Sequence, residues 1–444
     1  MTVRQRASHR INSTVPLGVY ISIPFCRSKC SYCNFASDVF SKSAYENYVA
    51  HLLEDIASSR PLASGLGCVL DETANSIYLG GGTPSILDAP QLRRIFAAVS
   101  SQFTITPDAE ITVECAPGTL TPALIETLLQ CGVNRVSLGV QSFVDQEAQS
   151  VGRLHKRSTV LEEIRRLRQS GLANISVDLI AGLPYQTAES WAFSVSETIA
   201  TGVPHVSVYM LEVDDDSRLG RELIAGGARY HAHFVPDDDA TADFYQQACE
   251  KLAAAGIAQY EISNFARVAA QSQSSESHHN LKYWTRQPYL GFGVDAHSML
   301  VADPLVPGGC QAVRFATPDS LDAYMNRAPH TVTPVSVQAA IEESFFLGLR
   351  LNRGVDLEQL RTEFSSEFPP ASSLKINAHP ERSEERAVRE SAIHQCLHDG
   401  LLEQQGAILR LTARGRLLSN EVFAGFLTER IEETKVGTGH VNPR

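Results

Sequence analysis

No apolar run in this 444-residue sequence approaches the ~18 residues a membrane-spanning helix needs, so no segment is expected to cross a bilayer. Basic side chains are in the minority. Against 50 Asp and Glu stand 38 Lys and Arg, a formal net charge of −12 at pH 7. Non-specific nucleic-acid binding needs a basic field, and this chain does not supply one. Charged residues make up only 20% of the sequence and apolar ones 43%, the balance of a chain with a large core, which excludes global disorder, collagen and coiled coil. The basic residues near the start are followed by no apolar stretch and cleavage site, so the expected location is the cytoplasm. In that setting nine cysteines do not read as a disulfide framework. Cys68, Cys115, Cys131, Cys249, Cys310 and Cys396 are scattered singly, whereas Cys26, Cys30 and Cys33 fall within eight residues.

From residue 18 to about 256, β-rich runs alternate with helix-period segments. Strands are expected at 18–25, 76–81, 110–115, 135–140, 174–182 and 205–213. The segments between them place apolar residues three and four apart, and several end on the glycine expected just past a helix. Six βα units in a row imply a parallel sheet covered on both faces, because each crossover helix returns the chain to the same edge. Periodicity alone leaves a doubly wound sheet and a barrel both open. Apart from this alternation there is no internal repeat.

Three units are therefore expected: a βα core over 12–256, a connecting segment over 257–335, and a smaller, mainly helical domain over 336–435. The last reads helix, hairpin, helix near its end, an arrangement resembling a winged helix. Two stretches lack a steady period. The polar run 268–277 reads as a loop, and 363–387, rich in Ser, Glu and Pro, as a flexible insertion.

The three clustered cysteines follow the first strand, at the strand end where α/β proteins place their chemistry. Spaced three and two residues apart, they can wrap one cluster or ion without long-range closure. A [4Fe–4S] cluster has four iron corners, so three thiolates leave one iron open to an exchangeable small molecule. Structural zinc completed by a distant histidine is the alternative. Gly80, Gly81 and Gly82 follow the second strand, where glycine lets backbone approach a ligand; a tight turn would use them equally well. Glu114, Gln141, Arg153 and Asp178 lie in or just beyond later strands, where ligand-binding residues of such folds converge.

CxxxCxxC with an aromatic before the last cysteine, at the end of the first strand of a βα series, resembles the radical S-adenosylmethionine (SAM) superfamily. The flanking YISIPFC and YCNF are most similar to its haem-chaperone branch, related to oxygen-independent coproporphyrinogen III oxidase. The resemblance implies a partial (β/α)6 barrel. Its [4Fe–4S] cluster would be held by Cys26, Cys30 and Cys33, with SAM on the open iron. It further implies SAM contacts from Tyr20, Tyr32, Gly81, Gly82, Thr83, Glu114, Gln141, Arg153 and Asp178. Arg153 suits the methionine carboxylate, which a guanidinium binds as a fork. Ala116 stands where the family commonly has asparagine.

Within the branch, the oxidases carry a further cysteine where this chain has Phe35, and a longer extension before the first cysteine. His279-Asn280-Leu-Lys-Tyr283-Trp284 matches the HNxxYW motif of the haem chaperones. Imidazole is a natural haem ligand, which makes His279 the expected one and His278 its substitute. The alternative for His279 is packing, a histidine holding Tyr283 and Trp284 against the barrel. His231 and His233, beside Asp237 to Asp239, read as a solvated loop. The implied function is binding haem and passing it to an acceptor protein, with an electron donor for the cluster. The implied rival is the decarboxylation of coproporphyrinogen III by a 5′-deoxyadenosyl radical.

Overall fold

The computed structural model describes residues 15–268, 275–305, 310–365 and 380–427. Most of the polar run at 268–277 and of the insertion at 363–387 lies outside the described residues, as do the expected outer domain limits at 12 and 435.

Strands β1 (Leu17–Ile23), β2 (Thr73–Gly81), β3 (Thr104–Cys115), β4 (Arg135–Gln141), β5 (Ile175–Ala181) and β6 (His205–Met210) pair in that order, all parallel. A seventh strand, β7 (Tyr289–Phe292), pairs parallel with the other edge of β1. Antiparallel strands extend both ends: Asn264–Arg267 beside β6, and His297–Ala302 beside β7. The strand order is linear and does not return on itself, so the parallel strands form an open, partial barrel. Every residue of β1 is buried, because one face meets the outer helices and the other the lumen.

The crossover helices obey the capping and periodicity rules that the sequence carries. The helix Ala89–Gln102 opens on a capping box between Asp88 and Gln91 and buries Leu92, Ile95, Phe96 and Val99 against the sheet. Trp191, fully buried on the helix Ala188–Thr201, donates its indole N–H to the carbonyl of Phe244 at 2.6 Å. That bond locks two neighbouring outer helices together.

The smaller domain packs helices Val337–Gly348, Leu357–Glu363 and Pro380–His398 against a three-stranded sheet whose hairpin turns at Gly406. It grips the segment around β7. Glu343 accepts hydrogen bonds from Arg286 at 2.8 Å and Arg314 at 2.7 Å, and the Arg350 guanidinium lies 4.4 Å from the Trp284 ring. Trp284 ends a short helix, His278–Trp284, that packs against Ser76 of β2 and Glu110 of β3 through His279.

Candidate functional site

The cysteine loop leaves β1 through Pro24 and is closed at its base. Cys26 N–H donates to Asp38 O at 2.9 Å and Asp38 N–H to Pro24 O at 3.0 Å. Lys29 crosses the loop, its Nζ donating to the carbonyls of Phe35 at 2.7 Å and Ser37 at 2.5 Å. The rest of the molecule holds it from two sides. Ser31 N–H donates to Val151 O at 3.2 Å, and Leu219 N–H to Ser31 O at 2.8 Å. A short loop therefore presents its three thiols in a defined frame.

Cys30 is buried, and Cys26 and Cys33 half-buried. Thr83 Oγ1 donates to Cys26 Sγ at 3.8 Å. Among the described residues no group of three or more His, Cys, Asp or Glu converges closely enough to hold a single metal ion. One zinc would draw every sulfur to ~2.3 Å from one point. A cluster instead takes one cysteine on each of three separate irons, which keeps the sulfurs apart. Three thiols on one short loop are a donor set that fits a cluster taking one cysteine on each of three irons. Burial pushes the Cys26 thiol up, while its hydrogen bonds with Ser37 and Thr83 pull it back and the neighbouring Cys33 and Cys30 add a smaller push.

Glycines open the space beside that loop. Gly81 adopts φ +101°, and a Cβ on Gly82 would stand 2.7 Å from Phe25 O and 3.0 Å from Cys26 Sγ. Side chains are excluded there by contact as well as by dihedral angle. On β4, a Cβ on Gly139 would lie 2.7 Å from Arg153 Nη2 and 3.1 Å from Gln141 Nε2, so this glycine lets both side chains lean over the strand. Gln141 ends β4 in the left-handed region at φ 68°. Arg153 Nε is buried and has no hydrogen-bond partner among the described residues. A buried, unpartnered guanidinium nitrogen calls for an anion. Tyr32 packs beside it on Val151, Ile180 and Leu183.

Deeper in the lumen, Tyr20 and Tyr78 stack at 6.2 Å, and Tyr78 donates to Glu114 Oε1 at 2.9 Å. Asp178 accepts from Ser207 at 2.8 Å, from Ser137 at 3.0 Å and from Ser176 at 3.3 Å. Burial raises its carboxyl and those hydroxyls pull it back down. Cys26, Cys30, Cys33, Gly81, Gly82, Thr83, Gln141, Arg153 and Tyr32 thus gather at the carboxyl end of the barrel. Tyr20, Glu114 and Asp178 line the lumen below them.

His279 lies apart from this set. It is 1% exposed, its Nδ1 bonds Ser76 Oγ at 3.0 Å and its Nε2 bonds the Tyr283 hydroxyl at 2.8 Å. Its ring stacks on Tyr78 at 5.3 Å, opposite the cysteine loop. This is the packing arrangement that the sequence left open; the bond to iron expected of His279 requires one of those nitrogens to be released. His278, its expected substitute, is exposed. Desolvation, reinforced by Lys282 and Arg135, lowers the His279 imidazole to about 3, so it is neutral at physiological pH.

Sequence reasoning missed Tyr78, Gly139 and the serines beneath Asp178. Strand alternation carried the signal for Tyr78, since Ser76, Tyr78 and Gly80 share the lumen face of β2. Nothing local marked Gly139, because its role is to make room for an arginine from another element.

An open barrel of parallel strands with a glycine-lined, three-cysteine loop after its first strand is the architecture of the radical SAM class, and the Radical SAM superfamily matches residues 20–195. The HemN C-terminal domain matches residues 335–418. The heme chaperone HemW of Lactococcus lactis is 31% identical over 94% of this chain and 98% of its own length. The heme chaperone HemW of Bacillus subtilis is 30% identical over 92% and 99%. The chain belongs to the HemW family of the radical SAM superfamily. Among solved structures, coproporphyrinogen III oxidase (HemN) from Escherichia coli shares the fold, with a TM-score of 0.75 over 93% of this chain and 90% of that one, at 21% identity. Membership of the superfamily brings SAM and a [4Fe–4S] cluster as the cofactors. Among the described residues no helix is long and apolar enough to cross a membrane.

Proposed function

We propose that this protein binds haem and hands it to an acceptor protein in the cytoplasm, on a scaffold that holds a [4Fe–4S] cluster and SAM. The observation that carries this reading is the end-to-end similarity to curated heme chaperones, 98% of the Lactococcus lactis protein being covered. Phe35 supports it too. The position where the oxidases carry a further cysteine holds a phenylalanine whose carbonyl anchors Lys29.

In this reading Cys26, Cys30 and Cys33 hold three irons of the cluster. Gly81, Gly82 and Thr83 bring backbone up to SAM, Arg153 receives the methionine carboxylate, and Tyr32 flanks it. Glu114, Gln141 and Asp178 receive the amino group and ribose hydroxyls, with Tyr20 beneath. When bound, the cofactor pair supplies one-electron reductive cleavage of a sulfonium; the protein's part is to orient it and exclude water. Haem ligation by His279 belongs to a state in which the helix His278–Trp284 has loosened.

Gly139→Val should push Arg153 out of place and weaken SAM binding by about tenfold or more, the size of a lost charge-assisted fork. Calorimetric titration of SAM into cluster-loaded protein reads this, with iron content unchanged. Wild-type affinity in that variant would detach Arg153 from SAM.

Function is tested anaerobically, with cluster-loaded protein, SAM, a reductant and coproporphyrinogen III, the products resolved by mass. We expect no protoporphyrinogen IX, and stoichiometric haem uptake by the same sample. Protoporphyrinogen formed over many turnovers would overturn the chaperone reading in favour of the decarboxylase.

A further inference from the structure

The helix that carries His279 is held unequally at its two ends. At the carboxyl end the hold is tight. Lys282 is buried and donates from Nζ to Pro16 O, just ahead of β1, at 2.6 Å. A Cβ on Gly18 would stand 2.7 Å from Lys282 Cδ, so β1 carries glycine where the lysine stem crosses it. The Tyr283 ring meets Tyr289 of β7 edge-on at 4.5 Å, and the Arg350 guanidinium covers Trp284. Arg286, two residues further on, is fixed by Glu343.

At the amino end the bonds are long and converge on one carboxylate. Ser277, the N-cap, accepts the N–H of Asn280 on Oγ at 3.4 Å and donates from Oγ to Glu110 Oε1 at 3.4 Å. The backbone N–H of His279 donates to the same Oε1 at 3.2 Å. Glu110 pairs with Ser76 across β3 and β2, and Ser76 bonds the His279 ring, so neighbouring strands hold one residue, by its backbone and by its ring. Glu110 is buried, and Arg135 Nε lies 3.9 Å from its Oε2, beyond hydrogen-bond distance and with no hydrogen-bond partner among the described residues. Such a pair adds little net stability, because its attraction is set against the desolvation of both charges. What the charge of Glu110 does strengthen is the two hydrogen bonds that it accepts from the helix end bearing His279.

We propose that Glu110 is a positioning residue for haem ligation: it latches the amino end of the helix His278–Trp284 to β3, and its release lets that end swing about Lys282 and Trp284 and frees the His279 imidazole for iron. The proposal rests on the haem-binding reading with His279 as ligand, and it names the contact that sets how often the ligating state is occupied. A helix fixed at one end and held at the other by long bonds opens at the weaker end. Haem binds only the fraction of molecules in which His279 is released, so the latch lowers apparent haem affinity. Weakening Glu110 therefore tightens haem binding, the reverse of what loss of a structural support does. Glu110 lies four residues before Glu114 on β3, so strand alternation sets both on one face, one toward the helix and one toward the cysteine loop.

The test is Glu110→Gln in the full-length, cluster-loaded protein, a change that keeps the shape and leaves a neutral acceptor. Ferric haem titrated into it and read by the Soret band should bind about fivefold more tightly than to wild type, the difference between a charged and a neutral acceptor. Without haem, hydrogen–deuterium exchange over residues 277–284 should accelerate by a similar factor, while β1 and β2 stay protected. Ser277→Ala removes the cap and one bond to Glu110, and should move both readings the same way by about fivefold. It decides the matter alone should Glu110→Gln not fold. Adding His279→Ala to Glu110→Gln should abolish the gain. Equal or weaker haem binding by the two single variants, where wild type binds haem, would overturn the latch and leave the chaperone reading standing. A gain that persists in the double variant would overturn it as well, because it would not pass through His279. No haem uptake by wild type would overturn the chaperone reading, and the latch with it.

Discussion

A Cys30→Ala variant reconstituted with iron and sulfide under anaerobic conditions is expected to hold no stable [4Fe–4S] cluster and to bind no SAM. Cys30 is the most deeply placed of the three thiols, 9% exposed, and its carbonyl accepts the backbone N–H of Cys33 at 3.3 Å, so it sits at the turn that sets the other two. Three cysteines for four irons leave one iron for SAM; two cysteines leave a second iron with no protein ligand, and such a cluster falls apart. The loop backbone does not depend on the sulfur, since Lys29 and the Asp38 bridge hold it closed. The variant should therefore fold. Cys131→Ala, at the end of an outer helix, is the matched control and should keep its cluster. Iron and sulfide per chain, with the visible absorption of the cluster, measure both. Full iron and sulfide in Cys30→Ala would remove it from the ligand set.

The second large effect is loss of stability in mild acid. His279 is lowered to about 3 and His155 to about 4, both chiefly by burial, and His205 lies well below its ordinary value for the same reason. An unfolded chain protonates all three near pH 6.5, whereas the folded protein does not until far lower. Between those values the unfolded state binds more protons, so stability falls as pH falls through this window. At pH 4.5 each fully shifted histidine withdraws on the order of 2–3 kcal/mol, and three together approach the net stability of a typical domain. Buried carboxyls act in the opposite sense: Asp178, Glu163 and Glu261 are raised by burial and favour the folded state as they take up protons. A single variant isolates the imidazole. Urea unfolding of wild type and His279→Gln between pH 7 and 4.5 should give a shallower pH slope for the variant, by close to one proton. Parallel slopes would mean that His279 is charged in the folded protein.

The two experiments bear on opposite ends of one barrel, joined by a short chain of contacts. His279 stacks on Tyr78, and Tyr78 donates to Glu114 among the residues proposed to receive SAM. Movement of the helix His278–Trp284 would therefore disturb the ring that orients Glu114.

The residues that act through local pattern were legible in the sequence. Alternating βα periods are a property of neighbouring residues, and so is the spacing of Cys26, Cys30 and Cys33 on the loop after β1. Glycines where a Cβ would strike backbone or sulfur belong to the same class, because the strand end that needs them lies beside them in sequence. Those features determined the parallel architecture and the cluster loop. The tertiary structure alone decided what depends on distant partners. It brought Tyr289–Phe292 onto the edge of β1, added a seventh parallel strand, and set Ser76 on Nδ1 of His279. It placed Tyr185 against His231 in a loop that reads as solvent-facing. An imidazole can be ligand, switch or packing residue, and its chemistry follows from burial and from what bonds each nitrogen; those are set by chain segments tens or hundreds of residues away, which no local pattern records.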